Sequence, residues 1–281
     1  MRVRRADAEL VLAALLELAP DGLEETDVDP HTVEYALYGS DDELPADGAL
    51  RELTGDSLVA LVRADVADDW AERWRGFHRP LVLGDRLCVR PPWEPARATA
   101  LDVVIDPGQA FGTGAHATTR LCLELLLGLR PVADATGRGV VDLGCGSGVL
   151  AITAAKLGRG PVLALDNDPL AVQATLANAA VNGVADLVAA GCFDLLAETV
   201  PPADLLLGNL LGPLLLVLAD GLADRPRHGA IIASGLLDSE ADEVSRRFAR
   251  GGYRERRRLT REGWSALLLE APQAGRDPTI G

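Results

Sequence analysis

The sequence predicts an α/β protein built on a Rossmann-like sheet that is mostly parallel, with an antiparallel edge strand. The main observation is the stretch GVVDLGCGSGVLAITAAKLG at 139–158, where apolar residues, a glycine turn and a helical run follow one another. A second strand, VLALDND at 162–168, comes before another helical run that ends at Gly183. Two segments near the end, 253–259 and 264–270, follow each other in a hairpin-like arrangement and predict antiparallel edge strands.

A small ferredoxin-like α+β domain is predicted for residues 1–66, because the elements there follow the order βαββαβ. Strands are expected around Val3 and over 23–28, 31–39 and 56–66, with helices over 6–18 and 44–53. Nothing in this domain is typical of a catalytic site. We expect it to recognise a substrate or to mediate dimerisation, and a plain packing role fits the residues equally well.

Residues 67–95 are expected to link the two domains, residues 96–271 to form the Rossmann-like domain, and residues 272–281 to be a disordered tail. Trp70 and Trp74 lie four apart on a short helix, a spacing that favours packing over ligand binding. His78 is interpreted as a solvated linker histidine. One or two strands are predicted within 81–89.

The net charge of −15 argues against a nucleic acid or an anionic membrane as partner, since binding phosphates requires a basic surface. A basic protein substrate would suit this charge better. The start MRVRR does not resemble a signal peptide, and the apolar run at 205–219 contains Gly, Asn and Pro and is too short for a bilayer. We therefore expect a cytoplasmic protein, and a monomer.

Four cysteines lack the close C-x-x-C spacing of metal sites and redox motifs; they are Cys88, Cys122, Cys145 and Cys192. We expect all four to be reduced, buried thiols and predict no metal site.

The loop that begins DPGQAFGTGAHATT at Asp106 is the second informative stretch. Its small residues allow the segment from Phe111 to Thr119 to fold tightly over a cofactor, so Phe111, Gly112 and Thr113 are candidate cofactor contacts. Thr118 and Thr119 are expected to cap the next helix. His116 is interpreted either as a general base or as a hydrogen-bonded loop histidine.

The glycine turn narrows the class of ligand. Gly144, Gly146 and Gly148 lie on alternate positions, unlike the G-x-G-x-x-G of dinucleotide-binding proteins. Glycines let the backbone approach a ligand, and Asp166 at the end of the next strand can accept hydrogen bonds from ribose hydroxyls. With Asp142 in front, the string DLGCGSG is similar to the first motif of class I S-adenosylmethionine (AdoMet)-dependent methyltransferases. This resemblance implies AdoMet as cofactor.

Asn209 is predicted at the carboxyl end of the fourth strand of the sheet, beside the crevice where open α/β sheets bind ligands. Its amide oxygen could accept a hydrogen bond from a substrate amine. The alternative is that Asn209 caps the next helix.

Nearly the whole chain resembles the ribosomal protein L11 methyltransferase family. The likeness is carried by ELVLAALLELAPDGLEE, VEYALYG, DDWAERWRGFHRP, VRPPWEP, DPGQAFGTGAHATTRLCLELL, DLGCGSGVLAI, ALDNDPLAVQATLANAAVNGV and REGWSALLLE. It implies that the small domain holds ribosomal protein L11 while the large domain binds AdoMet and methylates lysine or N-terminal amines. The cofactor positions it implies are Thr119, Gly144, Asp166 and Asn209. One departure is NLLGPL at 209–214, one residue shorter before proline than the family's N-x-L-A-x-P-L, which bears on the fit of the amine.

Three other functions remain open from the sequence. The first is a methyltransferase of the same build that acts on another protein lysine or on a small molecule. The second is an oxidoreductase, which the missing G-x-G-x-x-G disfavours. The third is a non-catalytic AdoMet-binding protein, which the intact loop and Asn209 disfavour.

Overall fold

The structure is a computed structural model that describes residues 1–8, 11, 15, 23–29, 31–37, 44–63, 79–106, 116–129, 137–223 and 229–271. It divides into two compact units, Met1–Trp70 and Ala71–Gly281, so the division falls inside the predicted linking segment. Trp70, Trp74, His78 and the predicted tail lie outside the described residues.

The first unit contains a four-stranded antiparallel sheet. Its elements are β1 (Arg2–Arg4), β2 (Leu23–Asp29), β3 (Thr32–Leu37), α1 (Asp47–Thr54) and β4 (Leu58–Ala60). The strand order β2-β3-β1-β4 is that of the predicted ferredoxin-like fold. Three described positions of the first predicted helix, Ala8, Val11 and Leu15, are helical and buried at helical spacing. The last strand is shorter than the predicted 56–66.

A three-stranded sheet opens the second unit. β5 (Leu81–Leu83) pairs antiparallel with β6 (Leu87–Arg90), and β6 pairs parallel with β7 (Leu101–Val104). The sequence predicted one or two strands here and missed β7. Leu87, Val89 and Val103 are almost fully buried and join the core of the large sheet, so this small sheet packs as part of the second unit.

The large sheet has seven strands in the order β10-β9-β8-β11-β12-β14-β13. In chain order the elements are α2 (Ala117–Gly128), β8 (Val140–Leu143), α3 (Val149–Lys156), β9 (Val162–Asp166), α4 (Pro169–Val181), β10 (Val188–Cys192), β11 (Leu205–Asn209), α5 (Gly212–Gly221), β12 (Ala230–Leu237), α6 (Ala241–Arg250), β13 (Arg254–Arg261) and β14 (Trp264–Glu270). β14 runs antiparallel to β12 and β13, while the strands from β10 to β12 are parallel. The predicted fold class is confirmed.

Both faces of this sheet are buried, as expected for parallel strands that carry helices on each side. Alternate residues of β11 show it: Leu205 and Leu207 pack with α2 and α3, and Leu206 packs on the opposite face with α5 and α6. Because each face has its own apolar layer, the backbone of these strands is held rigidly. The strand ends that carry the polar residues are therefore fixed in place.

The cysteines are free thiols, as predicted, but their burial differs from the prediction. Cys88, Cys122 and Cys145 are buried, whereas Cys192 is exposed at the end of β10, so the prediction for Cys192 was wrong. β10 is the outermost strand on its side of the sheet, which explains the exposure.

In the described part of the chain no group of three His, Cys, Asp or Glu could hold a metal ion. Nor does any helix there combine the length and apolarity needed to cross a membrane.

Candidate active site

The predicted site residues that the structure describes meet where the strand order reverses. β8 lies between β9 and β11, so the loops that follow β8 and β9 turn away from the loop that follows β11 and leave a crevice between them. Because these strands are parallel, their carboxyl ends lie at one edge of the sheet. That edge carries the glycine loop 144–148, Asp166 and Asn209.

The glycine loop needs glycine at each of its three alternate positions. Gly144, Gly146 and Gly148 have φ values of +67°, +53° and +80°, in the left-handed region that other residues rarely adopt. The loop is pinned to β9, since the N–H groups of Gly144 and Cys145 both donate to the carbonyl of Leu165 at 2.8 and 3.1 Å. α3 begins directly after the loop, as the sequence predicted.

Gly144 is also required by packing. A Cβ added there would lie 2.6 Å from Cδ2 of Leu210, the residue after Asn209. The loops that follow β8 and β11 are therefore in contact across the crevice. Leu210 could not be selected from the sequence, because a leucine in an apolar run carries no special signal.

Asp166 contacts the glycine loop directly. Its Oδ2 accepts a hydrogen bond from the N–H of Gly146 at 2.9 Å, and its Oδ1 accepts one from the N–H of Asp168 at 3.1 Å. A carboxylate oxygen has more than one lone pair, so both oxygens retain capacity for further donors. This geometry suits an acceptor of ligand hydroxyls.

Asp142 is buried at the end of β8, with 1% of its surface exposed. Its Oδ2 accepts a hydrogen bond from the N–H of Ala151 in the first turn of α3 at 2.9 Å, and its Oδ1 is buried with no partner among the described residues. Burial raises the pKa of Asp142 to about 7, the hydrogen bond from Ala151 opposes the shift, and the nearby charge of Asp166 adds to it. A cationic ligand group would relieve this burial cost.

Asn209 lies across the crevice and is held by Thr119 on α2. Its Nδ2 donates to Oγ1 of Thr119 at 3.3 Å, which directs the amide; its Oδ1 is buried without a partner in the described part of the chain. The alternative that Asn209 caps the following helix is not what the structure shows, because α5 begins after Leu211 and that N-cap has no side-chain hydrogen bond. The unpartnered oxygen is an acceptor available to a ligand.

The start of α2 differs from the prediction. Its N-cap is His116, whose Nδ1 accepts from the N–H of Thr118 at 3.4 Å and lies 2.8 Å from Oγ1 of Thr118. The prediction that Thr118 and Thr119 cap the helix was wrong: both lie in its first turn. The ring of His116 also packs edge-on against Trp264, with centroids 5.0 Å apart. These contacts match the interpretation of His116 as a hydrogen-bonded histidine.

Phe111, Gly112 and Thr113 lie outside the described residues. Several residues that the sequence did not single out support the site. Oγ of the buried Ser234 on β12 lies 2.9 Å from the carbonyl of Ser265 and 3.3 Å from that of Thr118, so its one proton can bond to either carbonyl where α2 meets the sheet. Thr175 and Asn178 on α4 contact the glycine loop. Their only signal in the sequence is a polar spacing of three within an alanine-rich helix.

The two thiols beside the site are poor nucleophiles. Burial is the main cause that raises the pKa of Cys122 and of Cys145 to about 12 in each case. The reactive form of a cysteine is the thiolate, so neither side chain is poised for covalent chemistry near neutral pH.

Comparison with known proteins identifies the family. A family model described as ribosomal protein L11 methyltransferase (PrmA) matches residues 14–272, which is most of the chain. The chain belongs to the ribosomal protein L11 methyltransferase family. The resemblance inferred from the sequence is thereby confirmed.

Relatives and a solved structure agree with this assignment. The chain is 41% identical over 231 residues to the ribosomal protein L11 methyltransferase of Shewanella pealeana, covering 79% of this chain and 76% of that protein. It is 41% identical over 234 residues to the corresponding protein of Chloroflexus aurantiacus, covering 73% and 70%. The crystal structure of ribosomal protein L11 methylase from Lactobacillus delbrueckii subsp. bulgaricus is similar, with a TM-score of 0.59 and 29% identity over 68% of this chain and 98% of that one.

Proposed function

We propose that this protein transfers methyl groups from AdoMet to amines of ribosomal protein L11, on lysine side chains, the N-terminus or both. Family membership supports the reaction class and the substrate. The observation that carries the chemistry is the buried, unpartnered Oδ1 of Asn209, held in place by Thr119 at the carboxyl edge of the sheet. An amide oxygen in that position accepts a hydrogen bond from an amine without adding a charge.

The described residues fit AdoMet as cofactor. Its ribose has two hydroxyl donors, which suit the carboxylate of Asp166. Its ammonium group suits the unpartnered Oδ1 of Asp142, because a positive charge would offset the burial of that carboxyl. The positive φ values of Gly144 and Gly146 give the loop its tight turn, and the absence of a side chain at Gly146 lets a ligand approach the backbone. Thr119 and the segment with Phe111, Gly112 and Thr113 complete the proposed cofactor site.

When bound, AdoMet supplies a methyl group that its positively charged sulfur already activates. The protein therefore contributes mainly alignment and exclusion of water. A lysine amine with an ordinary pKa of about 10.4 is mostly protonated at neutral pH and must lose a proton before it can react. We propose that the proton passes to water and that Asn209 Oδ1 then orients the neutral nitrogen along the line of transfer.

The first unit, with its ferredoxin-like fold, is proposed to hold the protein substrate. Among its described residues no buried side-chain polar atom lacks a hydrogen bond, in contrast to Asp142 and Asn209 of the second unit, and this supports recognition over chemistry. The net charge of −15 would attract a cationic substrate.

Mass spectrometry of purified ribosomal protein L11 incubated with the enzyme and AdoMet tests this proposal. The expected result is a mass gain in multiples of one methyl group, absent without AdoMet, and a loss of about 100-fold or more in rate for Asn209→Ala. No gain on L11, together with transfer of a labelled methyl group into other molecules of a lysate, would move the substrate elsewhere. Undiminished transfer by Asn209→Ala would refute the role of Asn209.

A further inference from the structure

Helix α4 carries a line of polar side chains that the proposed chemistry does not use. Thr175, Asn178 and Asn182 lie three and four residues apart, so they share one face of the helix. Thr175 and Asn178 are almost fully buried, at 0% and 3% exposure, and Asn182 is half-buried. Burying polar groups costs free energy unless they are hydrogen-bonded, so their partners indicate what this face does.

Two of these side chains hold successive carbonyl groups of the glycine loop. Oγ1 of Thr175 donates to the carbonyl of Gly146 at 3.0 Å, and Nδ2 of Asn178 donates to the carbonyl of Ser147 at 2.9 Å. In a planar trans peptide the C=O and the next N–H point in opposite directions. Anchoring these carbonyls on α4 therefore turns the following N–H groups away from α4.

The hydrogen bonds from α4 restrict a loop that would otherwise be flexible, because peptide groups next to glycine change orientation easily. Gly146 has a φ of +53° in the structure. In an unrestrained chain a glycine adopts positive and negative φ about equally. A loop of alternate glycines would therefore sample several peptide orientations, and a ligand would have to select one of them. The two hydrogen bonds from α4 select the orientation in advance, which is preorganisation of a binding loop.

Asn178 also joins the glycine loop to a second segment. Its Oδ1 accepts a hydrogen bond from the N–H of Asp106 at 3.0 Å, and its Nδ2 lies 3.5 Å from the carbonyl of Asp106. One amide thus fixes the chain after β7 and the glycine loop together. Asn182 makes the same kind of paired contact with the N–H and carbonyl of Val104, at 2.9 and 2.6 Å, but does not contact the glycine loop.

We propose that Asn178, assisted by Thr175, is a positioning residue that sets the glycine loop for AdoMet binding. The inference rests on the proposed use of AdoMet and adds a residue that need not contact the cofactor. Asn182 is the C-cap residue of α4 and has the residue type of Asn178. Its side chain bonds to Val104 and to the carbonyl of Asn178, not to the glycine loop, so it is a matched control for stability.

The test compares Asn178→Ala with Asn182→Ala in the full chain, using calorimetric titration with AdoMet, thermal unfolding and steady-state kinetics. Both variants should unfold at a lower temperature than wild type. The Kd and KM for AdoMet should rise about 10-fold or more in Asn178→Ala and change less than about 2-fold in Asn182→Ala. The kcat of Asn178→Ala at saturating AdoMet should fall much less than its affinity.

Equal Kd values in the two variants, or a lower unfolding temperature of Asn178→Ala without a change in Kd, would overturn the inference. If Asn178→Ala does not fold, Thr175→Val provides the test. Valine keeps the shape of threonine but removes the donor to the carbonyl of Gly146, so this variant should also raise the Kd for AdoMet. A Thr175→Val variant with the Kd of wild type would then overturn the inference. Failure of wild type itself to bind AdoMet would refute the cofactor proposal instead.

Discussion

The N–H of Gly146 donates a hydrogen bond to Oδ2 of Asp166 at 2.9 Å. The carboxylate at the end of β9 therefore serves two purposes in the proposed site: it restrains the glycine loop and it offers its remaining lone pairs to a ligand. Loop geometry and ligand recognition are thus coupled through one side chain. Its neighbour Asp168 points to α4 instead, where its Oδ1 caps the helix by accepting from the N–H of Leu170 at 2.8 Å.

Asp166→Asn should raise the Kd for AdoMet about 10-fold or more, because it removes the charge that strengthens hydrogen bonds from Gly146 and from the ribose hydroxyls. Asp168→Asn is the control: asparagine caps helices as well as aspartate does, so stability and affinity should both be retained. Calorimetric titration of both variants checks this. Equal losses of affinity in the two variants would contradict the role assigned to Asp166.

The buried Asp142 should make stability depend on pH. Its folded-state pKa of about 7 lies above the ordinary aspartate value of 3.8, so the protonated form is favoured in the folded protein. The stability that the protonated Asp142 contributes to the folded protein is fully present below about pH 4 and is lost as the pH rises towards 7. The ionisable groups around it are Asp166 and the thiols of Cys122 and Cys145.

Urea unfolding of wild type and Asp142→Asn at pH 5 and pH 8 measures this contribution, because other groups cancel in the difference. The free energy of unfolding of wild type relative to Asp142→Asn should fall by roughly 2–3 kcal/mol between the two pH values. A difference that stays constant with pH would show that Asp142 keeps an ordinary pKa.

The fold could be predicted because its signals are local. The alternation of apolar runs, the glycines at 144, 146 and 148 and the hairpin-forming segments near the end each act within a few residues of chain. The carboxyl edge of the sheet follows from topology alone, which is why Asp166 and Asn209 could be placed beside the crevice.

What the sequence did not reveal depends on contacts between distant residues. Asn178 and Asp106 are 72 residues apart and Asn209 and Thr119 are 90 apart, so neither pair is visible as a pattern. His116 was missed as the cap of α2 because two adjacent threonines are the more usual capping residues. β7 was missed because its pairing with β6 is decided by burial against the large sheet.

The hydrogen bond between Thr119 and Asn209 should affect the rate of methyl transfer. Thr119→Val keeps the shape of the side chain but removes the Oγ1 that accepts from Asn209 Nδ2, so the amide loses its restraint. We expect kcat to fall about 10-fold, less than for removal of the amide itself. Thr118→Val is the control, since Oγ1 of Thr118 faces His116. Equal kcat values for the two valine variants would contradict the restraint.

Gly148 and Gly158 offer a matched pair for stability. Both have positive φ, +80° and +74°, so alanine is strained at each by about 1 kcal/mol or slightly more. A Cβ at Gly158 would meet nothing within 4 Å, whereas one at Gly148 would lie 2.9 Å from Oγ1 and 3.1 Å from Cα of Thr175. Gly148→Ala should therefore cost a further 1–3 kcal/mol or so in the free energy of unfolding, measured with urea.

A double-mutant cycle separates the two causes of the stability lost in Gly148→Ala, which are backbone strain at positive φ and crowding of the added Cβ by Thr175. Thr175→Ala removes the Oγ1 and Cγ2 that crowd position 148 but leaves the Cα, so it should relieve part of the packing cost and none of the strain in φ. The combined cost of Gly148→Ala and Thr175→Ala should then be smaller than the sum of the two single costs. Additive costs would mean that the loop moves away from α4 without penalty, contrary to the close packing of glycine loop and helix described above.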